Sequence, residues 1–415
     1  MLNKDNIREL AYVVRVNNIV GMDADRLECA QINGWNCVVG KGEFKPGDLA
    51  IYFEIDSQLP DVYPFNEMEF LKSKRYKIKS QKIRGVVSQG LLMPASAFGW
   101  QNAYTEGIHG DDYIIDPSEK ISKDTFKTYH EGDFLTEKLG VTYAVSEDNS
   151  RKANSIDKYK KMAQRHPDLA KTKWWRTLYK SKMGKKILFL FFGKKKDKRT
   201  WPAWVVKTDE ERIQNIPWIL AEKGPWIATE KIDGTSTTFT MRRKKKLFKD
   251  DFDFYVCSRN VVFDKPDKQC FYDTNYYTQM AEKYNVEEQL RHFLVVHPEV
   301  EWITLQGETY GSGVQKRDYS LSDVDFKGFN LITSDKGRWN SIVAAEFANT
   351  EFHIPWVPIT NPAFYMPNTV EELLSMAGGA SFVDGKPREG LVFRSLDGTK
   401  SFKAVSNEYL LKYHQ

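Results

Sequence analysis

The chain has 415 residues, 41% hydrophobic and 13% aromatic, with 61 Lys and Arg against 56 Asp and Glu. That length predicts two domains rather than one core, and the composition excludes a chain too polar to bury one. The net charge of +5 conceals an asymmetry: residues 151–200 hold 18 Lys/Arg and 3 Asp/Glu, a net of +15, which leaves −10 for the remainder. A local excess of that size is an electrostatic footprint for a polyanion, whereas a mild spread would mean only solubility.

No apolar run approaches the ~18 residues of a membrane-spanning helix, so no membrane partner is expected. MLNKDNIREL carries no signal-peptide apolar stretch. Cys29, Cys37, Cys257 and Cys270 show no CxxC spacing, which points away from a zinc site or a disulfide framework. A reducing, cytoplasmic compartment is the expectation.

In chain order, residues 1–145 read as short strands. LAYVVRVNNIV, WNCVVG, LAIYFEI and SQGLLMP are β-branched or aromatic runs, separated by turn signals such as KGEFKPGD. Strands at this spacing predict a small barrel or sandwich, with DRLECAQINGW as a connection between two of them. Residues 146–200 form a basic segment with helix formers, broken by Pro167 and Gly184. Within it, Ile187 to Phe192 is an apolar run that suits a docked helix, a buried strand or an interfacial anchor, core packing being the simplest. WWRTLYKSK interleaves Trp174, Trp175 and Tyr179 with cations, which suits either stacking on nucleic acid or an amphipathic helix with solvated lysines.

From residue 201 the pattern turns mixed. PWIATEKI, TTFTMRR, FDFYVCSRN, EWITLQGETYG, FKGFNLI, REGLVFRS and KSFKAVS predict strands. TQMAEKYNVEEQLRHFLVV and SIVAAEFANT predict helices. The expected division is 1–145, 146–200 and 201–415, and the fold class is α+β multidomain.

Five segments of this last region place charged residues in or beside apolar strands. They are KIDG at 231–234, CSRN at 257–260, LQGETYGSGVQK at 305–316, REGLVFR at 388–394 and SFKAVS at 401–406. A charge there is costly unless paired, metal-bound or engaged with ligand. A lone KxDG is common on surfaces. Lys231, Asp233, Arg259, Glu308, Glu389 and Lys403 together argue for one shared cleft.

This ordered set resembles the covalent nucleotidyltransferase superfamily of RNA ligases, DNA ligases and capping enzymes. It is most similar to ATP-dependent RNA ligases with an amino-terminal OB domain. KIDG resembles the nucleophile motif, GETYG and EGLVFR two further motifs, FKGFNLI the aromatic motif between them, and SFKAVS the last. GWNCVVGKGEFKPGDLAIYFEID and LKSKRYKIKSQKIRGVVSQGLLMP resemble the OB domain of the same group. The resemblance implies an N-terminal OB-like β-barrel followed by a mixed α/β nucleotidyltransferase domain of antiparallel sheets and helices. DNA ligases and capping enzymes generally carry their OB domain after the last motif. Here only 12 residues follow Lys403, and the barrel-like region lies in front.

The resemblance implies that Lys231 attacks the α-phosphate of ATP and forms a lysyl-adenylate. A free lysine, with a pKa of about 10.4, must first lose its proton, and cations near it (Arg259, Lys403, a metal) are expected to lower that pKa. Asp233 would hold the lysine or contact metal-bound water, and Gly234 would let the backbone approach closely. Glu389 is the foremost ligand for Mg2+ or Mn2+, with Asp233 and Glu308 beside it. Phe329 would stack on adenine, and Glu230 would help place the nucleotide. Arg259 and Asn260 would contact phosphate and ribose, and Lys207 and Arg212 would reach the β- and γ-phosphates. Lys403 would contact the α-phosphate.

One position departs from the family. Many relatives carry two lysines one residue apart in the last motif, but here Ser401 precedes Lys403, and Lys400 is out of register by one. Adjacent strand residues face opposite sides, so Lys400 does not substitute. The implied partner is RNA with 3′-OH and 5′-phosphate ends, a nicked duplex being one arrangement, bound by a monomer. The basic run KSKRYKIKSQKIR of the first domain is the expected substrate contact there. A DNA ligase, a capping-type guanylyltransferase and a non-catalytic nucleic-acid-binding protein on the same scaffold are the alternatives.

Overall fold

Alternation along three short strands organises the N-terminal region of this computed structural model. Ala11–Arg15 pairs antiparallel with Leu49–Phe53, which pairs antiparallel with Leu91–Pro94. All five residues of the middle strand are buried, because each face of the sheet is covered. Leu49, Ile51 and Phe53 enter one core with Ala11, Val13 and Met93. Ala50 and Tyr52 enter another with Tyr12, Val14, Leu92 and Trp35. Side chains on a strand alternate between faces, so one five-residue run serves two cores.

The structure describes residues 1–3, 5, 7–104, 112–144, 167–192, 201–207, 209–245, 250–263 and 275–413. Cys270 and much of the basic segment, residues 146–166 and 193–200, lie outside the described residues. The described part divides into two compact units, Met1–Tyr143 with Trp201–Gln415, and Ala144–Thr200.

DRLECAQINGW is not the connection the sequence reading expects. Leu27–Ile32 is itself a strand, paired antiparallel with Trp35–Gly40. The turn between them is Asn33-Gly34, both with positive φ, 45° and 78°, the dipeptide that suits a two-residue hairpin. This hairpin tip touches the C-terminal region. The Gly34 amide donates to the Glu371 carboxylate at 2.8 Å, and a Cβ on Gly34 would lie 2.5 Å from Val370 Cγ1. Elsewhere along the same contact, Val87 packs with Val405 and Leu410, and Arg212 lies over the Trp35 ring at 5.7 Å.

The C-terminal region holds two sheets. The larger runs Val262–Phe263, Asp251–Cys257, Thr235–Lys244, Trp302–Gly311, Val324–Thr333, Gly337–Arg338, all antiparallel. Helices Tyr276–Lys283, Val286–Val296 and Ser341–Thr350 supply Met280, Leu290, Leu294, Ala344 and Ala348 to its core. The single helix read over 278–296 is in fact two, parted at Asn285, whose φ of 47° is left-handed, a conformation Asn tolerates. The smaller sheet runs Glu211–Arg212, Ser401–Val405, Gly390–Ser395, Trp226–Lys231, Ile359–Phe364. Helix Val370–Ala377 packs on it behind a capping box of Thr369 and Glu372. The chain passes from the smaller sheet to the larger between Lys231 and Thr235.

In the second unit, Lys173–Tyr179 and Lys182–Phe192 are helices, with Trp175 and Leu188 buried together. The apolar run is therefore helical. Only Leu188 of Ile187–Phe192 is buried, while Leu190 is 78% and Phe191 73% exposed.

Gly34 and Gly42 share a left-handed φ, but a Cβ on Gly42 meets nothing within 4 Å. Gly34→Ala is expected to cost about 1–3 kcal/mol beyond Gly42→Ala, from steric overlap with Val370 and Leu374. Thermal or urea denaturation of both variants checks this, and equal losses would exclude a tight hairpin contact.

Candidate active site

Strand register delivers two carboxylates to one lysine. Lys231 ends its strand opposite Gly390, so the neighbouring residue, Glu389, reaches the amine: Lys231 Nζ donates to Glu389 Oε2 at 2.7 Å. In the larger sheet, Ser236 pairs with Glu308, which brings that carboxylate toward the same point. The turn between the sheets has no room for a side chain at Gly234, where a Cβ would sit 2.3 Å from the Thr309 carbonyl oxygen and 2.9 Å from Glu308 Cγ. Lys403 arrives from the next strand, paired with Val392 on one side and Arg212 on the other.

These elements enclose a cavity of about 330 Å³, lined by Glu230, Lys231, Gly234, Arg259, Glu308, Phe329 and Lys403 among others. Pockets for small molecules run from roughly 300 Å³ upward, so a nucleotide-sized ligand is in scale. Seven of the twelve site residues expected from sequence thus line one cleft. Phe329 presents an apolar ring there, with the Arg394 guanidinium 5.7 Å from its centroid.

The others lie around it. Glu389 is buried behind Lys231. Asp233 sits in the turn, where its Oδ2 accepts from the Tyr409 hydroxyl at 2.5 Å and its amide donates to the Tyr319 hydroxyl oxygen at 2.7 Å. Lys207 and Asn260 are exposed and bonded to each other at 3.3 Å. Arg212 lines a separate cavity with Lys82, Val87, Glu389 and Val405. Its stacking over Trp35 draws it toward the N-terminal region. Glu230 is engaged by protein: it accepts from the Ser381 hydroxyl and from the Phe382 amide at 2.8 Å. Arg259, 61% exposed, pairs with Asp209 at 2.6 Å at the cleft.

Sequence reading missed Arg394, Glu210 and Asp209, all of which line the cleft. Arg394 is 3% exposed. It donates to Asn330 Oδ1 at 3.1 Å and Thr229 Oγ1 at 3.2 Å, and faces Glu210 at 3.5 Å. The signal was present: an arginine between Phe393 and Ser395 in an apolar strand. Burial lowers its pKa to about 10.

The charges are unbalanced toward the acidic side around Lys231. Burial alone would lower the lysine, but the charges of Glu389 and Glu308 and the bond to Glu389 outweigh it and hold the ammonium above its ordinary range. Cations do not dominate there, contrary to the sequence-based expectation. Glu308 is pushed up to about 8, by burial first and by Glu389 and Asp233 next, against the pull of Lys231. Lys403 is lowered to about 8, by burial and then by the like charges of Lys231 and Arg212.

Among the described residues, no group of three or more His, Cys, Asp or Glu side chains is arranged to hold a metal ion directly. The oxygen-only set of Glu308, Glu389 and Asp233 does fit Mg2+ or Mn2+ held partly through water, since these ions keep several waters. Burial first, and the charges of Glu389 and Asp233 after it, disfavour the Glu308 carboxylate, a cost that a divalent cation would relieve.

At the departure from the family pattern, Lys400 pairs with Glu222 at 2.7 Å and stays outside the cleft. Ser401 Oγ accepts from Arg338 Nη1 at 2.9 Å and bonds to Glu210.

Residues 224–414 match the family model described as RNA ligase, and residues 9–95 match a model described as an OB-fold domain. Among solved structures, the chain is similar to a Naegleria gruberi RNA ligase. A variant of that enzyme with AMP and Mn is 26% identical, with a TM-score of 0.61, covering 98% of this chain and 99% of that one. A variant with ATP and Mn is 27% identical, with a TM-score of 0.60, covering 98% and 100%. The enzyme with pyrophosphate is 26% identical, with a TM-score of 0.59, covering 98% and 99%. No curated protein sequence matches the chain.

The Lys403 ammonium is expected to titrate near 8 in NMR spectra of lysine-labelled protein. Lys231→Met should move that titration upward, because a neighbouring like charge is gone. Titration at the ordinary ~10.4 in the wild type would contradict the crowded-cation account.

Proposed function

We propose that this chain, whose residues 224–414 match the RNA ligase family model with an OB-fold match in front, is an ATP-dependent ligase that joins RNA 3′-OH and 5′-phosphate ends through a lysyl-adenylate on Lys231. The observation that carries this reading is the place of Lys231: it lines a nucleotide-sized cleft, and Glu389 holds its Nζ at 2.7 Å. The ATP, AMP and pyrophosphate named with the Naegleria gruberi enzyme support it, since they are the substrate, transferred group and leaving group of such a step.

In the first step Nζ attacks the α-phosphorus of ATP, a P–N bond forms, the bond to the β-phosphate oxygen breaks, and pyrophosphate leaves. In the second, an oxygen of the RNA 5′-phosphate attacks the same phosphorus and the P–N bond breaks, freeing Lys231. In the third, the RNA 3′-OH attacks the activated 5′-phosphate, AMP leaves, and a phosphodiester forms. Each is an in-line displacement, which depends on alignment and charge stabilisation.

The residues take roles to match. Glu389 holds the amine at the seam. Lys403, Arg394 and Arg259 offer cations to phosphate oxygens, and Phe329 offers a ring face to adenine. Mg2+ or Mn2+, facing Asp233, Glu308 and Glu389, would neutralise phosphate charge and favour the neutral amine. That supply matters because the carboxylates alone keep Lys231 protonated. Lys207, Asn260 and Arg212 are not among the residues that line the cleft.

Incubation with α-labelled ATP and Mg2+ tests the reading. Label should appear on the protein, be released by pyrophosphate, and be absent in Lys231→Ala. Label from GTP instead would favour a capping-type guanylyltransferase. Absence of label from either nucleotide on folded protein would sink the enzyme readings. Sealing assays on matched RNA, DNA and mixed nicks then distinguish an RNA ligase from a DNA ligase.

A further inference from the structure

Asp233 is bracketed by two buried tyrosines, neither of which lines the nucleotide cleft. Tyr409, fully buried, belongs to the C-terminal helix Asn407–Tyr413. Tyr319, 2% exposed, sits on a loop with Ser320 in left-handed backbone, φ 54° and 58°. Such a conformation is costly for non-glycine residues and persists only where surroundings impose it. Arg317, 2% exposed, packs against this loop. Its guanidinium lies 4.0 Å from the Tyr319 ring centroid, 5.6 Å from that of Tyr409 and 5.4 Å from that of Tyr413.

Arg317 also pairs with Asp384 and donates to the Pro387 carbonyl at 2.6 Å. Pro387 lies two residues before Glu389. The backbone carbonyl of Glu389 in turn accepts from the Ser406 amide at 2.8 Å, one residue before the helix. One buried cation and one short helix thus hold the Asp233 carboxylate and the backbone on either side of Glu389.

We propose that Tyr409 is a positioning residue for lysyl-adenylation: its hydroxyl fixes the direction of the Asp233 carboxylate, and through it the turn that carries Lys231. The proposal rests on the lysyl-adenylate reading above. A hydrogen bond to a charged carboxylate, made by a fully buried donor, is strong and directional. The bond holds one oxygen of the Asp233 carboxylate toward the C-terminal helix and so narrows its two side-chain torsions. Support of this kind, one step removed from the reacting groups, commonly carries about ten- to a hundredfold in activity.

The test is single-turnover formation of labelled protein from ATP, in full-length chains. Tyr409→Phe, which removes one oxygen and keeps the ring on Arg317, should lower the maximal rate constant about tenfold or more. The ATP concentration for half-maximal rate should change less than about twofold, because Tyr409 does not touch the cleft. Tyr413→Phe, in the same aromatic cluster, should behave as wild type. In an Asp233→Ala background, which removes the acceptor, adding Tyr409→Phe should cost less than about twofold, the signature of a shared interaction. Replacement of Tyr409 by p-aminophenylalanine keeps a ring and a donor and should restore most of the rate. It also supplies the folded comparison if Tyr409→Phe loses its melting transition, and a slow rate in that protein would overturn the proposal. A wild-type rate in Tyr409→Phe, or an equal loss in Tyr413→Phe, would overturn it while leaving the lysyl-adenylate intact. If wild type takes no label, both fall.

Discussion

A half-buried lysine held against a buried glutamate at the seam of two sheets is the constraint on which the rest of the site depends. Burying an ion pair costs desolvation on both sides, and it holds only if geometry is good and the remaining valences are met. Here the geometry comes from backbone pairing. Lys231 opposite Gly390 and Ser236 opposite Glu308 are consequences of register, and a shift of one residue would send each side chain to the other face. The excess of carboxylate around Lys231 then has a chemical meaning. It holds the Lys231 ammonium above its ordinary range, so that loss of its proton would need positive charge brought close to it.

Lys403 carries the opposite tension. Burial first, and then the like charges of Lys231 and Arg212, push its ammonium toward neutrality. A second lysine at position 401 would sharpen that crowding, and the serine there avoids it. The positive charge reappears as guanidinium: Arg338 bonds to Ser401, and Arg394 lines the cleft through a network with Asn330, Thr229 and Glu210. Arginine suits this place better than lysine, since its planar fork spreads its charge over several fixed acceptors. The departure from the two-lysine pattern is thus accompanied by a redistribution of cations, and Lys400 takes no part because Glu222 holds it outside.

Much of this was legible in the residues. The strands carrying Lys231, Glu308, Glu389 and Lys403 announce themselves as apolar runs interrupted by a charge, and alternation alone separates Lys403 from Lys400. What escaped has local causes. Asn33-Gly34 was a strong hairpin signal inside a segment taken for a connection, and Thr369–Glu372 was a capping box inside a segment given no element. The surroundings of Arg212 and Asn260 were illegible for another reason: they contact Trp35 and Lys207, residues distant in sequence that no local pattern encodes. The same holds for Tyr409, whose partner Asp233 lies 176 positions earlier.

The short C-terminal helix joins these levels. Its Leu410 packs with Val87 of the N-terminal region and Val405 beside the last cleft strand. The carbonyl of Leu411 accepts from Lys82 Nζ at 3.1 Å, and Tyr409 reaches Asp233. Seven residues therefore touch the putting-together of the two regions and the nucleophile turn at once. A helix this short has little stability of its own, because two turns do not offset the cost of nucleation. Its order comes from the surfaces on either side. One element thus packs on Val87, accepts from Lys82 and bonds to Asp233, although among the described residues none of the N-terminal region lines the cleft.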